Sequence, residues 1–249
     1  MINKMDLNNK ALSIRKKIGE DDSSPIDIFA LAQNIPNLTL IFYPLGNNIS
    51  GACLRKDTSV LIALNSEMSI GRQRFTLAHE LYHYYFDLDN SSIICSYTIE
   101  ADNEIERNAD LFASYLLIPS SALYEKIQNF KESGVNHLTV SEIVKIEQYF
   151  GMSRKAMLKR LLEENEITKN EFIEFQQDVI LIASKLGYDV SLYKPTLEHR
   201  NKFVLGHYIT QAEKLLQMDR ISNGKYEELL LEAYRDDIVY GNDSGELID

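Results

Sequence analysis

The sequence predicts an α+β fold: a small, mostly antiparallel sheet with helices beside it, followed by a mostly helical C-terminal region. Three observations carry this. Residues 38–65 hold three short β-like runs divided by turn-forming residues. Residues 70–87 and 103–118 have the apolar spacing of two amphipathic helices, and from 120 onward the pattern is helical almost throughout. A chain of 249 residues can bury a substantial core without disulfides.

Taken in order, a helix is expected around 6–18, and Ser24-Pro25 is expected to open a second helix running through Gln33, closed by Pro36. The β-like runs are LTLIFY (38–43), ISGACLR (49–55) and SVLIALN (59–65), separated by the turns PLGNN and KDT. SVLIALN, apolar on both faces, suits an interior strand; as an edge strand it could pair with an extended substrate peptide. An irregular stretch containing DLDNSS (87–92) divides the two amphipathic helices, and Pro119 stops the second. Breaks follow near Gly134, Gly151, Gly187 to Pro195 and Asn223-Gly224, and Thr139 with Glu142 forms a capping box for the helix ending at Phe150. YEELLLEAYRDD, near the end, reads as an amphipathic helix that either completes the core or docks a partner, the first being favoured.

Composition narrows the function. With 26 Lys+Arg against 37 Asp+Glu the net charge is -11, a poor match for phosphate backbones, so direct nucleic-acid binding is not expected. The two cysteines, Cys53 and Cys95, form no thiolate metal motif and read as free thiols of a reducing cytosol. MINKMDLNNK has no apolar leader and no run approaches the roughly 18 residues of a membrane span, so a cytoplasmic protein with no membrane partner is expected.

The chemistry lies in FTLAHELYHYYF (75–86). His79 and His83 stand four apart, on one face of a helix, where two neutral imidazoles can share one zinc ion at about 2 Å each. Glu80, one residue past His79, can reach water beside the ion, the position of a general base. A catalytic zinc site needs a third protein ligand, and ERNAD (106–110) supplies the best one. Glu106 can coordinate while Asp110, one turn on, accepts a hydrogen bond from a ligand imidazole. Glu100 and Glu104 are rivals, but Glu104 has no acidic residue four positions on and Glu100 has only Glu104. On the other face Leu111, Phe112, Tyr115 and Leu116 supply apolar contacts, and Ala109 and Ala113 allow a close approach to the first helix.

At these residues the sequence resembles the ImmA/IrrE family of metallo-endopeptidases. QRFTLAHELYHYYF matches its active-site helix and ERNADLFASYLLIP its second helix, with ISGACLRKDTSVLIALN upstream and FGMSRKAMLKRL downstream extending the resemblance over about 48–162. The resemblance implies a zincin-like peptidase domain over 1–165, followed by a helical region of unknown role over 166–249. It implies one zinc ion per chain on the two histidines and the glutamate, bacterial or phage origin, and proteolysis of a regulatory protein, often a helix-turn-helix repressor of a mobile element or stress response. Many relatives carry an N-terminal helix-turn-helix domain. The first 66 residues here do not resemble one, so the DNA-binding partner is expected to be a separate chain.

An oxyanion donor should complement the metal, and Tyr82, Tyr97, His137, His199 and His207 have suitable chemistry without the sequence choosing among them. Two other readings compete. One is a zinc-stabilised sensor that binds a partner without cutting it. The other treats 140–161 as a helix-turn-helix with Lys145, Arg154, Lys155, Lys159 and Arg160 on phosphate, against which stand the acidic chain and Glu147, where a small residue usually packs.

Overall fold

The computed structural model describes residues 2–87, 92–96, 104–132 and 137–241. In chain order the elements are α1 (Lys4–Lys17), α2 (Ile28–Gln33), β1 (Leu38–Tyr43), β2 (Ile49–Lys56), β3 (Ser59–Asn65), α3 (Ile70–Phe86), β4 (Ser92–Ser96), α4 (Glu104–Leu117), α5 (Ser120–Glu132), α6 (Val140–Phe150) and α7 (Arg154–Glu163). Then come α8 (Lys169–Glu174), α9 (Val179–Lys185), β5 (Phe203–Gly206), α10 (His207–Gln217), α11 (Asn223–Glu232) and α12 (Asp236–Tyr240). The fold is α+β, as the patterning predicts.

The sheet runs β4-β2-β3-β1-β5. Three of its pairings are antiparallel, and β1 with β3 is parallel. SVLIALN is therefore an interior strand and not the sheet edge: Val60, Ile62 and Leu64 are buried and neighbours cover both flanks, as its two apolar faces require. The edges are β4 and β5. SIICS, within the stretch expected to be irregular, pairs with β2. FVLG pairs with β1 from the far end of the chain, with Phe203 stacked on Phe42 at 4.4 Å. The region after 165 is thus mostly helical but also supplies a strand.

Local chemistry explains the boundaries. The second helix begins at Ile28 and not at Pro25, because the Asp27 side chain accepts from the N–H groups of Phe29 and Ala30 and so caps it. Asp57 takes a positive φ in the β2–β3 turn. Thr139 and Glu142 form the expected capping box, and Gly151 closes α6 in the left-handed conformation. Asn223-Gly224 opens α11, with Ser222 as its cap. The expected break at Gly134 lies outside the described residues.

Two polar anchors set the frame around α3 and α4. The Asn65 side chain donates to the Gly46 and Ile49 carbonyls at 2.6 and 2.7 Å, holding the β1–β2 loop. Buried Arg15 of α1 donates to the carbonyl of Leu116, at the end of α4, at 2.7 Å, and to those of Asp21 and Ser24. The core lies between the sheet and α3, α4 and α1, with Leu77, Ala78, Ala109, Phe112 and Ala113 sealed from solvent. Ala109 and Ala113 are the small residues expected to let α4 approach α3 closely. Among the described residues no helix is long and apolar enough to cross a membrane.

Candidate metal centre

Ser69 caps α3 by accepting from the Arg72 N–H, and the helix then runs seventeen residues against β2 and β3. Its crossing over β2 is close. A Cβ at Gly51 would meet Thr76 Cγ2 at 2.6 Å and Glu80 Oε1 at 3.1 Å, so β2 passes directly over the turn that carries Glu80. At the other end Arg55 of β2 donates to the carbonyls of His83 and Tyr84 at 3.2 and 3.1 Å, a cation on the negative end of the helix.

On this helix His79 and His83 face the same space. Their Nε2 atoms are 3.3 Å apart; His79 Nε2 is 3.1 Å from Glu106 Oε2 and His83 Nε2 is 3.4 Å from Glu106 Oε1. One ligand atom from each of the three lies within 4.8 Å of the others. Glu106 comes from the first turn of α4, brought there by the helix packing described above. Two imidazole nitrogens and a carboxylate oxygen, all pointing inward, suit a borderline divalent ion such as zinc and leave a coordination position for a further ligand.

Each imidazole is turned by a carboxylate behind it. His79 Nδ1 donates to Asp110 Oδ1 at 2.9 Å, and Asp110 Oδ2 accepts from Lys159 Nζ of α7 at 2.9 Å. His83 Nδ1 meets Asp87 Oδ2 at 3.2 Å. Asp87 was not singled out from the sequence, although it stands four residues after His83 and the spacing signals it. Nothing local signals Lys159.

The electrostatics follow from burial. Burial works against a charged His79, yet its hydrogen bonds to Asp110 and Glu106 outweigh it and raise the ring's pKa. Burial, with the charge of His79 beside it, lowers His83. Burial alone would raise Asp110, but the bond to His79 and the Lys159 charge hold it down. These opposed shifts favour a positive charge on His79 over one on His83. Glu80 is fully buried and close enough for its charge to favour the charged form of His79.

The rivals fall elsewhere. Glu104 is exposed on the first turn of α4, while Glu100 and Tyr97 lie outside the described residues. Tyr82 is buried against Phe86 and Phe112. His137 is exposed and His207 lies beside Gln211 on α10; for His199 only the backbone is described, in a 3-10 turn. Of the basic residues expected on a DNA-facing pair, Arg154 is buried against Glu147, Arg160 is buried on Ser114 and Ser120, and Lys159 is bound to Asp110. Lys145 and Lys155 remain exposed.

The IrrE N-terminal-like domain, a peptidase family, matches residues 36–162. The chain belongs to this family. No curated protein matches it significantly. The IrrE N-terminal-like match opens just before β1, earlier than the resemblance over 48–162 suggested, and ends on α7. It therefore spans β1 to β3, both helices of the histidine–glutamate cluster and Lys159. The family is of metallopeptidase type, and α8 to α12 with β5 follow the matched segment.

Proposed function

We propose that this chain is a zinc-dependent endopeptidase that cuts a regulatory protein, a separate helix-turn-helix repressor of a mobile element or stress response. The observation that carries the reading is the convergence of His79, His83 and Glu106 ligand atoms within 4.8 Å, with buried Glu80 on the same helix.

In this reading His79, His83 and Glu106 hold the ion, which when bound would polarise a peptide carbonyl and acidify water beside it. Glu80 accepts the proton from that water and delivers it to the nitrogen of the departing amine. Its burial under Gly51 restricts its rotamers, so the carboxylate waits in place. Asp110 and Asp87 fix the ring orientations that present both Nε2 lone pairs to the metal. Lys159 balances the charge of Asp110.

The test compares wild type with Glu80→Gln for bound zinc and for cleavage of a repressor encoded next to the protein. The expectation is one zinc per chain in both, with the cleavage rate of the variant lower by about 10²–10⁴-fold. Zinc in both without cleavage by either favours a zinc-stabilised sensor; absence of zinc from both removes the central assignment.

A further inference from the structure

The chain beyond the family match returns to the first turn of α3. Residues 191–196, a 3-10 turn over Ser191–Tyr193 and the three residues after it, reach the segment 66–70, where Pro195 forms an antiparallel bridge with Ser69. The Ile70 N–H, one of the donors that a helix start leaves without an intrahelical partner, donates to the Lys194 carbonyl at 2.8 Å. The Thr196 N–H donates to the Ser66 carbonyl at 3.2 Å. The approach is close: a Cβ at Gly71 would stand 2.9 Å from the backbone N of Ser153, the N-cap of α7, and 3.2 Å from Leu192 Cδ1. Leu192 is buried, and the Tyr193 hydroxyl donates to Glu147 of α6 at 2.9 Å, so the strap is held at both ends.

One side-chain contact carries the strap into the helix. Gln73 is 1% exposed. Its Nε2 donates to the Met68 carbonyl at 2.6 Å and to Thr196 Oγ1 at 3.0 Å, and its Oε1 accepts from the Thr196 hydroxyl at 3.2 Å. Among the described residues, that hydroxyl is the one donor Gln73 Oε1 meets. Gln73 stands seven residues before Glu80, two turns or roughly 10 Å along the same face of α3, with Thr76 between them. This face is pressed on β2, where Thr76 and Glu80 both border Gly51. Arg55 pins the far end of α3 and the Gly51 crossing its middle; the strap pins the near end.

We propose that Thr196 is a positioning residue for the metal centre: through Gln73 it fixes the start of α3, and with it the placement of His79, Glu80 and His83 against Glu106. The peptidase unit then includes the strap, more than thirty residues past the end of the matched segment at 162. A misplacement of about 1 Å can cost a catalytic group about 10²-fold, and Glu80 has no spare room beside Gly51. Backbone hydrogen bonds link each helical turn to the next, so a displaced start is passed along α3. The catalytic role of Glu80 rests on the peptidase reading; the placement of α3 does not.

Thr196→Val, which keeps the shape and removes the hydroxyl, and Thr196→Ser, which keeps the hydroxyl, test it in the full chain with zinc present. Amide hydrogen exchange reads the helix, and competition with a chelator reads zinc affinity. The Val variant should exchange about tenfold faster over 74–83 and bind zinc about tenfold more weakly, with the Ser variant like wild type in both. Tyr193→Phe frees the other end of the strap and should quicken the same amides by a smaller factor, which decides the matter if the Val variant fails to fold. Among the described residues α1 makes no hydrogen bond to the strap, so equal acceleration there assigns the effect to global unfolding and overturns the proposal. Acceleration confined to 70–73 with zinc affinity unchanged makes the strap a local cap and also overturns it, as does a Ser variant as weak as Val. A wild type that binds no zinc sinks the peptidase reading, and exchange over 74–83 then decides the strap alone.

Discussion

The molecule buries charge in two places and holds it in opposite ways. Between α6 and α7, Glu147 faces Arg154 and the Tyr193 hydroxyl, while Arg154 also donates to the Phe175 carbonyl at 2.7 Å; the carboxylate and its cation balance each other. Between α3 and α4, the opposite charges stand behind the cluster. Asp110, Asp87 and Lys159 orient and balance the imidazoles from outside, and the inner atoms of His79, His83 and Glu106 all face one space. A buried ion pair closed on itself belongs to the scaffold, whereas ligand atoms turned toward one another form a group that could hold a cation.

Breaking the closed pair should have the largest effect on the fold. Glu147→Ala strands a buried guanidinium and is expected to cost about 3–5 kcal/mol, read from urea unfolding; a loss under about 1 kcal/mol would mean that water replaces the carboxylate. The open cluster should respond in affinity. Asp110→Asn keeps the shape but removes the charge shared by His79 and Lys159, and metal affinity measured against a chelator should fall about 10–100-fold. An unchanged affinity would separate Asp110 from the metal.

The smallest expected effect sharpens the contrast through pH. Burial pushes Glu147 up from 4.5 to about 6 in spite of Arg154. The folded state therefore holds this proton more tightly than the unfolded state, and the stability it contributes is complete below pH 4.5 and lost as pH rises to about 6. The loss is about 2 kcal/mol. Unfolding followed from pH 4 to 7 should show this decline in the wild type and not in Glu147→Gln, and the same slope in both proteins would assign it to other groups.

How much was legible depends on the distance over which each feature is decided. The capping box at Thr139, the stop at Pro119 and the shared face of His79 and His83 are local, set by backbone chemistry within four residues. Glu106 was readable over Glu104 because Asp110 follows it by one turn. Asp87 obeyed the same rule from His83 and was overlooked because DLDNSS looked like a loop. Pro25 misplaced the start of α2 because Asp27, two residues later, is the better cap.

By itself, then, the sequence determined most of the helices and which side chains could share a metal, since periodicity and capping act within one or two turns, while the neighbours on both sides of SVLIALN decided that it is an interior strand. Only the tertiary structure decided that FVLG closes the sheet against β1 more than 160 residues away, that Lys159 stands behind Asp110, and that Gly71 seats α3 against Ser153. Those contacts join segments whose own patterns carry no trace of their partners. They form because burying apolar faces against each other leaves each polar group to find its complement wherever packing brings one within reach.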